Sequence, residues 1–453
     1  YADYLFQTIM TPIISHLLKI FPELNTQVKT DSLNWTFSTH LKQLGPDFYS
    51  KIARLHPILN MEYSVLCQRL RYNLSAPDYS SPEQIKEQLI DALKLAELLE
   101  YTYQHYLVVP REVVRLRRHK AIYRELLTEL SGYSFALDNP EPESLKTSLS
   151  LTQAIREKTA QSNWYRIFIS RSKRVINLLD NLDTGSKAFR DFVVLLDKYT
   201  NPFLAYLGWC FFAPRLFTNL FLILKHTIPG EWMGEKEKSL DWSDRFYAHL
   251  QRRWFELAND SVWFTVGILN CFVLVGALAP LSVYLSLFAF VFDVANTSLR
   301  AYIEIGRLQQ LQKEYAELFD QEENEDQKKI IKEYQDSISY RIKFEILRSF
   351  LSVGGAVAVV IAMALSVPAL GIINPVIPLI GAVLLLALWG VSLYLNNKLD
   401  EYRPVDNIEK PAPSVINKLS FFAPKNEKKE SLHLSSKPEK DLEAEELIPT
   451  FTF

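Results

Sequence analysis

SFLSVGGAVAVVIAMALSVPALGIINPVIPLIGAVLLLALWGVSLYLNN, Ser349 to Asn397, runs between Arg348 and Lys398 without one charged side chain. A single helix of this length would extend about 73 Å, against a hydrocarbon core of about 30 Å. Two spans joined by a tight turn fit instead. Pro368, Pro375, Pro378 and Gly371 cluster near the centre. Proline removes a helix donor and disfavours helix in the residue before it, and glycine takes left-handed turns. The pattern predicts a transmembrane hairpin over 349–397 that turns at Ser366–Pro378. Gly354, Ala358, Ala362 and Ser366 recur every fourth position, the stripe by which helices approach closely in lipid. Trp389 and Tyr394 precede Lys398, as at a membrane interface.

A second uncharged run, Ser261–Phe292, is divided by Pro280. Read as residues 262–279 and 281–299, it gives a first transmembrane hairpin over 261–299. Arg252, Arg253, Arg300, Arg307, Arg341, Lys343, Arg348 and Lys398 flank the two hairpins. By the positive-inside tendency, all flanks then share the cytosolic side. Asp293 and Asn270 are the intramembrane polar candidates of this hairpin, since an ionisable group in lipid is a functional-site hypothesis. Residues 201–260 hold a third apolar tract, Asn201–His226, with Pro214 and Arg215 at its centre. A central arginine costs about 2.5–3.5 kcal/mol in a span, so an interfacial or core helix is expected.

The remaining chain ahead of residue 398 reads as helices, which makes the fold class all-α. Ser81, Pro82 and Gln84 form a helix start, and Ile85, Leu89, Ala92, Ala96 and Leu99 repeat at helical spacing. Residues 1–200 are expected to form a soluble helical domain; Tyr4–Phe21 reads as an amphipathic helix rather than a signal peptide, although the chain starts at Tyr1 and residues ahead of it are expected. Between the hairpins, over 300–348, Leu308, Leu311, Tyr315 and Leu318 face Ile331, Tyr334, Ile338 and Ile342 across an acidic turn. That pattern predicts an antiparallel helical stalk, of coiled-coil type, continuing the second and third spans. Residues 398–453, proline- and charge-rich, are expected to be a flexible, acidic-ended tail.

The 453 residues carry a formal net charge of −2, which gives no argument for a nucleic-acid partner. Cys67, Cys210 and Cys271 are too few and too far apart for a disulfide framework or a zinc knuckle. No phosphate loop, dinucleotide fingerprint or hydrolase motif is present, and the eight histidines are dispersed. No catalytic residue, cofactor or metal ligand is therefore assigned. Two cationic clusters, Arg115, Arg117, Arg118 and Lys120, and Arg171, Lys173 and Arg174, are candidate contacts for lipid phosphate.

The end of the chain, KPEKDLEAEELIPTFTF, sets Glu439, Asp441, Glu443, Glu445 and Glu446 ahead of an apolar terminus. It resembles the glutamate-rich carboxy-terminal translocation signal of effectors exported by Dot/Icm (type IVB) secretion systems of Legionella-like bacteria. WCFFAPRLFTNLFLILKH (Trp209–His226) also looks like the membrane proteins common in those bacteria. The resemblance implies delivery into a host cell and insertion into a host membrane. The expected protein is thus a multipass membrane scaffold or recruitment protein with its soluble parts in the cytosol. Its expected partners are the bilayer, anionic lipids, a protein bound through the helical domain or stalk, and further copies of itself. The alternatives are a channel or transporter component, and a lipid-directed enzyme in residues 1–200.

Overall fold

The computed structural model describes residues 12–24, 34–75, 81–136, 143–180, 187–374 and 376–411. The described residues are all-helical and contain no strand. In chain order the helices are α1 (Pro12–Ile20), α2 (Phe37–Gln43), α3 (Pro46–Ser75), α4 (Pro82–His105), α5 (Pro110–Ser131), α6 (Glu143–Asp180) and α7 (Lys187–Cys210). There follow α8 (Phe212–Thr227), α9 (Glu235–Ser239), α10 (Trp242–Ile268), α11 (Leu281–Gln321), α12 (Glu325–Leu365), α13 (Pro368–Gly371) and α14 (Val376–Glu401).

Helix ends follow the local chemistry. Ser81 caps α4 by accepting from the Gln84 backbone N–H at 3.1 Å, which satisfies one of the orphan donors of a first turn. Gly132, at φ 69°, closes α5 in the left-handed conformation that costs glycine least. Asn324 caps α12 after the acidic turn, accepting from Asp326 and Gln327.

The two periodic stripes between the apolar runs are buried together: Leu308, Leu311 and Tyr315 on α11, with Ile331, Tyr334, Ile338 and Ile342 on α12. Both helices are 41 residues long and run unbroken from the stalk into the apolar half. The stalk does not stand free. Its buried face belongs to the same core as Tyr63, Leu70, Leu89, Leu99 and Tyr123 of α3–α5. Arg69 pairs with Glu333 across α3 and α12. Residues 403–411, expected within a flexible tail, lie along this core: Ile408 is buried, and Asp406 pairs with Arg341 at 2.9 Å. Residues 412–453 lie outside the described residues.

At the other end, α11, α12 and α14 are long and apolar enough to cross a membrane. The chain breaks at the proline–glycine cluster, since α12 stops at Leu365 and α14 begins at Val376, but Gly371 ends the short helix α13 instead of taking a left-handed turn, and Pro378 lies within the first turn of α14. The first run departs from expectation. Helix α10 ends at Ile268, followed by one π-type turn over Leu269–Val273 and a 3-10 turn over Gly276–Leu278. Gly276 sits at φ 59° and Pro280 follows, so residues 262–279 do not form a continuous helix. The absence of charge that marked this run says nothing about helix continuity.

Residues 143–180 and 187–200 also differ from their expected place. Helix α6 lies along α14, with Trp164 and Phe168 against Trp389 at ring separations of 4.7 and 5.2 Å. Helix α7 lies against α10. The third apolar tract breaks at Phe211, and Arg215 pairs with buried Asp260 of α10 at 3.2 Å. The 16 residues of α8 extend about 24 Å, short of a full crossing.

Candidate functional site: a cationic row on α6

Of the two cationic clusters, that on α5 is internally committed. Arg117 and Lys120 both donate to Glu100, at 2.8 and 2.7 Å, and Arg115 reaches Asn60 and Glu112. Arg118 also has a partner within the chain. His119 is wholly buried, and burial lowers its pKa to about 4. These residues hold α5 to α3 and α4.

The cluster on α6 is arranged differently. Lys173 pairs with Asp197 of α7 at 2.8 Å, and Asn177 donates to the same carboxylate. Arg171 is 7% exposed; its Nη1 donates to the Leu385 carbonyl of α14 at 2.7 Å, while Nη2 has no hydrogen-bond partner. Arg174 donates to the Ser366 carbonyl at 3.2 Å and to Met363 Sδ at 3.0 Å, at the carboxy-terminal end of α12. That end carries the negative pole of the helix dipole, which favours a cation. A third guanidinium, Arg166, is held by Asn163 Oδ1 at 2.9 Å and lies 5.9 Å from the Phe212 ring centre. Among the described residues, none of the three makes an ion pair. Arg166 was not singled out from sequence. Its only sign in sequence is its place among the aromatic residues Trp164, Tyr165 and Phe168.

Asp293 lies on α11, where Trp263 Nε1 donates to both its carboxylate oxygens at 3.0 and 3.1 Å. Trp263 stacks on Phe212 at 6.1 Å, so an aromatic pair stands between Asp293 and Arg166. Asn296 donates to the Phe255 carbonyl at 3.2 Å, and Asn270 lies in the π-type turn. Along the small-residue stripe, Ala362 and Ser366 are buried against Gly381 of α14, whereas Gly354 faces open space. Gly381 was not anticipated: a Cβ there would meet the Ala362 carbonyl and the Ser366 amide at 2.7 Å. The acidic residues Glu439–Glu446 lie outside the described residues.

One cluster brings together residues that sequence reading left dispersed. His226 on α8, Glu237 on α9 and His249 on α10 are buried with their ligand atoms within 4.8 Å of one another. The arrangement does not suit a metal ion. Arg253 donates to His249 Nδ1 at 2.9 Å, which leaves the ring proton on Nε2. The two imidazoles stack at 4.6 Å and 12°, so their lone pairs lie in separate, nearly parallel planes instead of converging on one point. Arg245 adds a further cation, donating to the Glu237, Lys238, Leu240 and Thr227 carbonyls. Burial, then the neighbouring cations, lower the His249 pKa to about 2. The trio secures the 228–241 connection between α8 and α10. Residues 11 and 12 apart on three elements form no local pattern, which is why the sequence did not expose them.

Fold and site together define a class: an all-helical protein with three helices able to cross a membrane and unpaired cations beside them. Comparison with protein-family models, with curated protein sequences and with solved structures gives no match.

Proposed function

We propose that the protein is an integral membrane scaffold that holds a helical platform, formed by α1–α5 and the stalk, at a bilayer surface. The observation that carries this reading is the outward face of α11, α12 and α14. Only 17%, 22% and 22% of their most apolar windows are buried by the rest of the chain. Phe350 is 72% exposed and Ile361 56%, surface that water would penalise by about 25 cal/mol per Å². Lipid removes that penalty.

In the layout we favour, α11, α12 and α14 provide three crossings and the end of α10 with residues 269–280 provides a fourth, while α6 runs beside α14 through the same depth from Trp164 to Arg174. Helix α10 runs antiparallel to α11, since Phe255 lies by Arg300 and Trp263 by Asp293. Residues 272–280 are exposed apart from half-buried Leu274, and uncovered irregular backbone does not suit lipid depth, so this layout places them at the interface opposite the platform. The platform, stalk and residues 403–411 then share one side, and the turn over 366–374 lies on the other. The acidic tail resemblance supports a further proposal, that the chain is an exported effector inserted into a host membrane. Alkaline carbonate extraction with protease protection tests the main reading. A protease site placed at Ile373 should be cut only from the face opposite to one placed at Lys410. Release into the carbonate supernatant, or cleavage of both sites from one face, overturns it.

A further inference from the structure

We infer that Arg171 and Arg174, supported by Arg166, form a binding site for the phosphate of an anionic phospholipid headgroup between α6 and the α12–α14 hairpin. The inference rests on the membrane reading above and adds a ligand to it.

The argument begins with charge balance. Buried cations are ordinarily paired, because a charge removed from water costs several kcal/mol without compensation. The chain follows that rule for Lys173 with Asp197, Arg215 with Asp260, and Lys120 with Glu100. It breaks the rule on one stretch of α6, at buried Arg171 and at half-buried Arg166 and Arg174. Their acceptors are all neutral: an amide oxygen, two backbone carbonyls and a thioether. Arg171 keeps an N–H group buried and unpartnered. An anion supplied from outside completes the set, and the planar guanidinium fork suits phosphate oxygens.

The surroundings choose the source of that phosphate. On either side of the cations, α6 and α14 present exposed apolar residues, Phe168 and Ile169 on one and Ile380 and Leu384 on the other. A free ion would have to cross this apolar rim, whereas a phospholipid lays its acyl chains along it and turns its headgroup inward. The position also sets the leaflet. Arg174 meets the end of α12 beside the turn over 366–374, the end remote from the platform. The lipid therefore belongs to the leaflet opposite the stalk. This separates the site from the α5 cluster, which faces its own carboxylates.

The test uses the full chain in neutral detergent, with native mass spectrometry counting bound lipid. Phosphatidylglycerol should be retained at least tenfold more strongly than phosphatidylcholine. The Arg171→Gln/Arg174→Gln variant should lose that preference, and Lys398→Gln at the other membrane edge should keep it. Equal retention of the two lipids, or an undiminished preference in the double variant, overturns the inference. Inorganic phosphate that displaces phosphatidylglycerol at millimolar concentration would assign the site to a free anion and overturn the lipid source. Thermal melting of the double variant without added lipid checks its fold; should it be unfolded, Arg171→Lys serves, with the preference reduced because an ammonium cannot bind bidentately. Failure of the membrane reading is seen separately, as a chain that stays soluble once detergent is removed, and phosphatidylglycerol with six-carbon acyl chains then scores the same arginines in water.

Discussion

His16 holds the short helix α1 against the platform, and its removal gives a calculable effect. At nine residues, α1 is too short to persist unaided. It docks through Leu17, Phe21 and the His16 ring, which lies between two carboxylates: Glu62 of α3 at 2.8 Å and Glu314 of α11 at 3.0 Å. Burial alone would lower the imidazole pKa, but hydrogen bonds and charge from Glu314 and Glu62 outweigh it and raise the value from 6.5 to about 10. Glu62 is 1% exposed; Tyr315 also donates to it, at 2.9 Å. In His16→Ala, Glu62 keeps only that tyrosine. Stranding one member of a buried pair costs about 3–5 kcal/mol, and the retained donor argues for the lower end. The Glu314 contact, partly open to water, adds under about 1 kcal/mol.

A loss of about 3 kcal/mol raises the opening of α1 by about a hundredfold, at 1.36 kcal/mol per tenfold. Amide hydrogen exchange over Ile13–Ile20 at pH 7 reads this directly. His16→Ala/Glu62→Gln should recover much of the loss, because a neutral amide can stay buried. The effect also has a defined pH dependence. A folded-state pKa raised above the unfolded one gives stability that is complete below about pH 6.5 and is lost as pH rises through about 10. The difference in melting temperature between wild type and variant should therefore shrink steadily from pH 6.5 and vanish near pH 10. A variant that exchanges like wild type, or a difference that does not change with pH, would refute the charged-histidine account.

Gly381→Ala should loosen the α12–α14 hairpin by about 1–3 kcal/mol, since the new methyl meets backbone that cannot yield cheaply. Gly390→Ala faces open space and should be neutral or slightly stabilising; melting in detergent compares the two. Asp293→Asn keeps an acceptor for Trp263, so the scaffold reading expects unchanged melting and no ion flux in proteoliposomes with either protein; wild-type flux lost in the variant would favour a channel. Arg341→Ala removes the partner of Asp406 and should release residues 403–411 at a cost of about 1 kcal/mol, seen as faster proteolysis after Arg403. Deleting Glu439–Phe453 should abolish translocation of a reporter fusion, and undiminished delivery would end the export proposal.

The parts of the fold legible in sequence are those carried by local repetition. The stalk stripes showed which faces are buried because apolar spacing of three and four marks one side of a helix. The hairpin turn showed because proline and glycine act on their own backbone. Neither signal names the surface that covers a face, so the docking of α3 and α1 on the stalk was not visible. The same limit misplaced α6. It was read as part of a soluble domain over 1–200, yet Arg171 and Arg174 point at carbonyls of α14 and α12, some 200 residues away in sequence. The trio His226, Glu237 and His249 and the close contact at Gly381 are likewise products of tertiary approach.

The route by which the platform is tied to the apolar half bears on what a scaffold here would do. Helices α11 and α12 each run about 60 Å without a break, one end in the platform core and the other in the candidate spans. A flexible linker would let the platform sample many orientations, whereas two continuous helices packed on each other fix one. Tyr315 and Tyr334 sit at their mutual contact, fully buried, with ring centres 6.1 Å apart. Reorienting the platform would mean unpacking those rings or bending both helices, and no proline interrupts either one between Leu281 and Leu365. A surface held at fixed height and angle suits recruitment of a partner to a membrane. It suits a gated pore less well, because gating needs an element with two arrangements of similar energy.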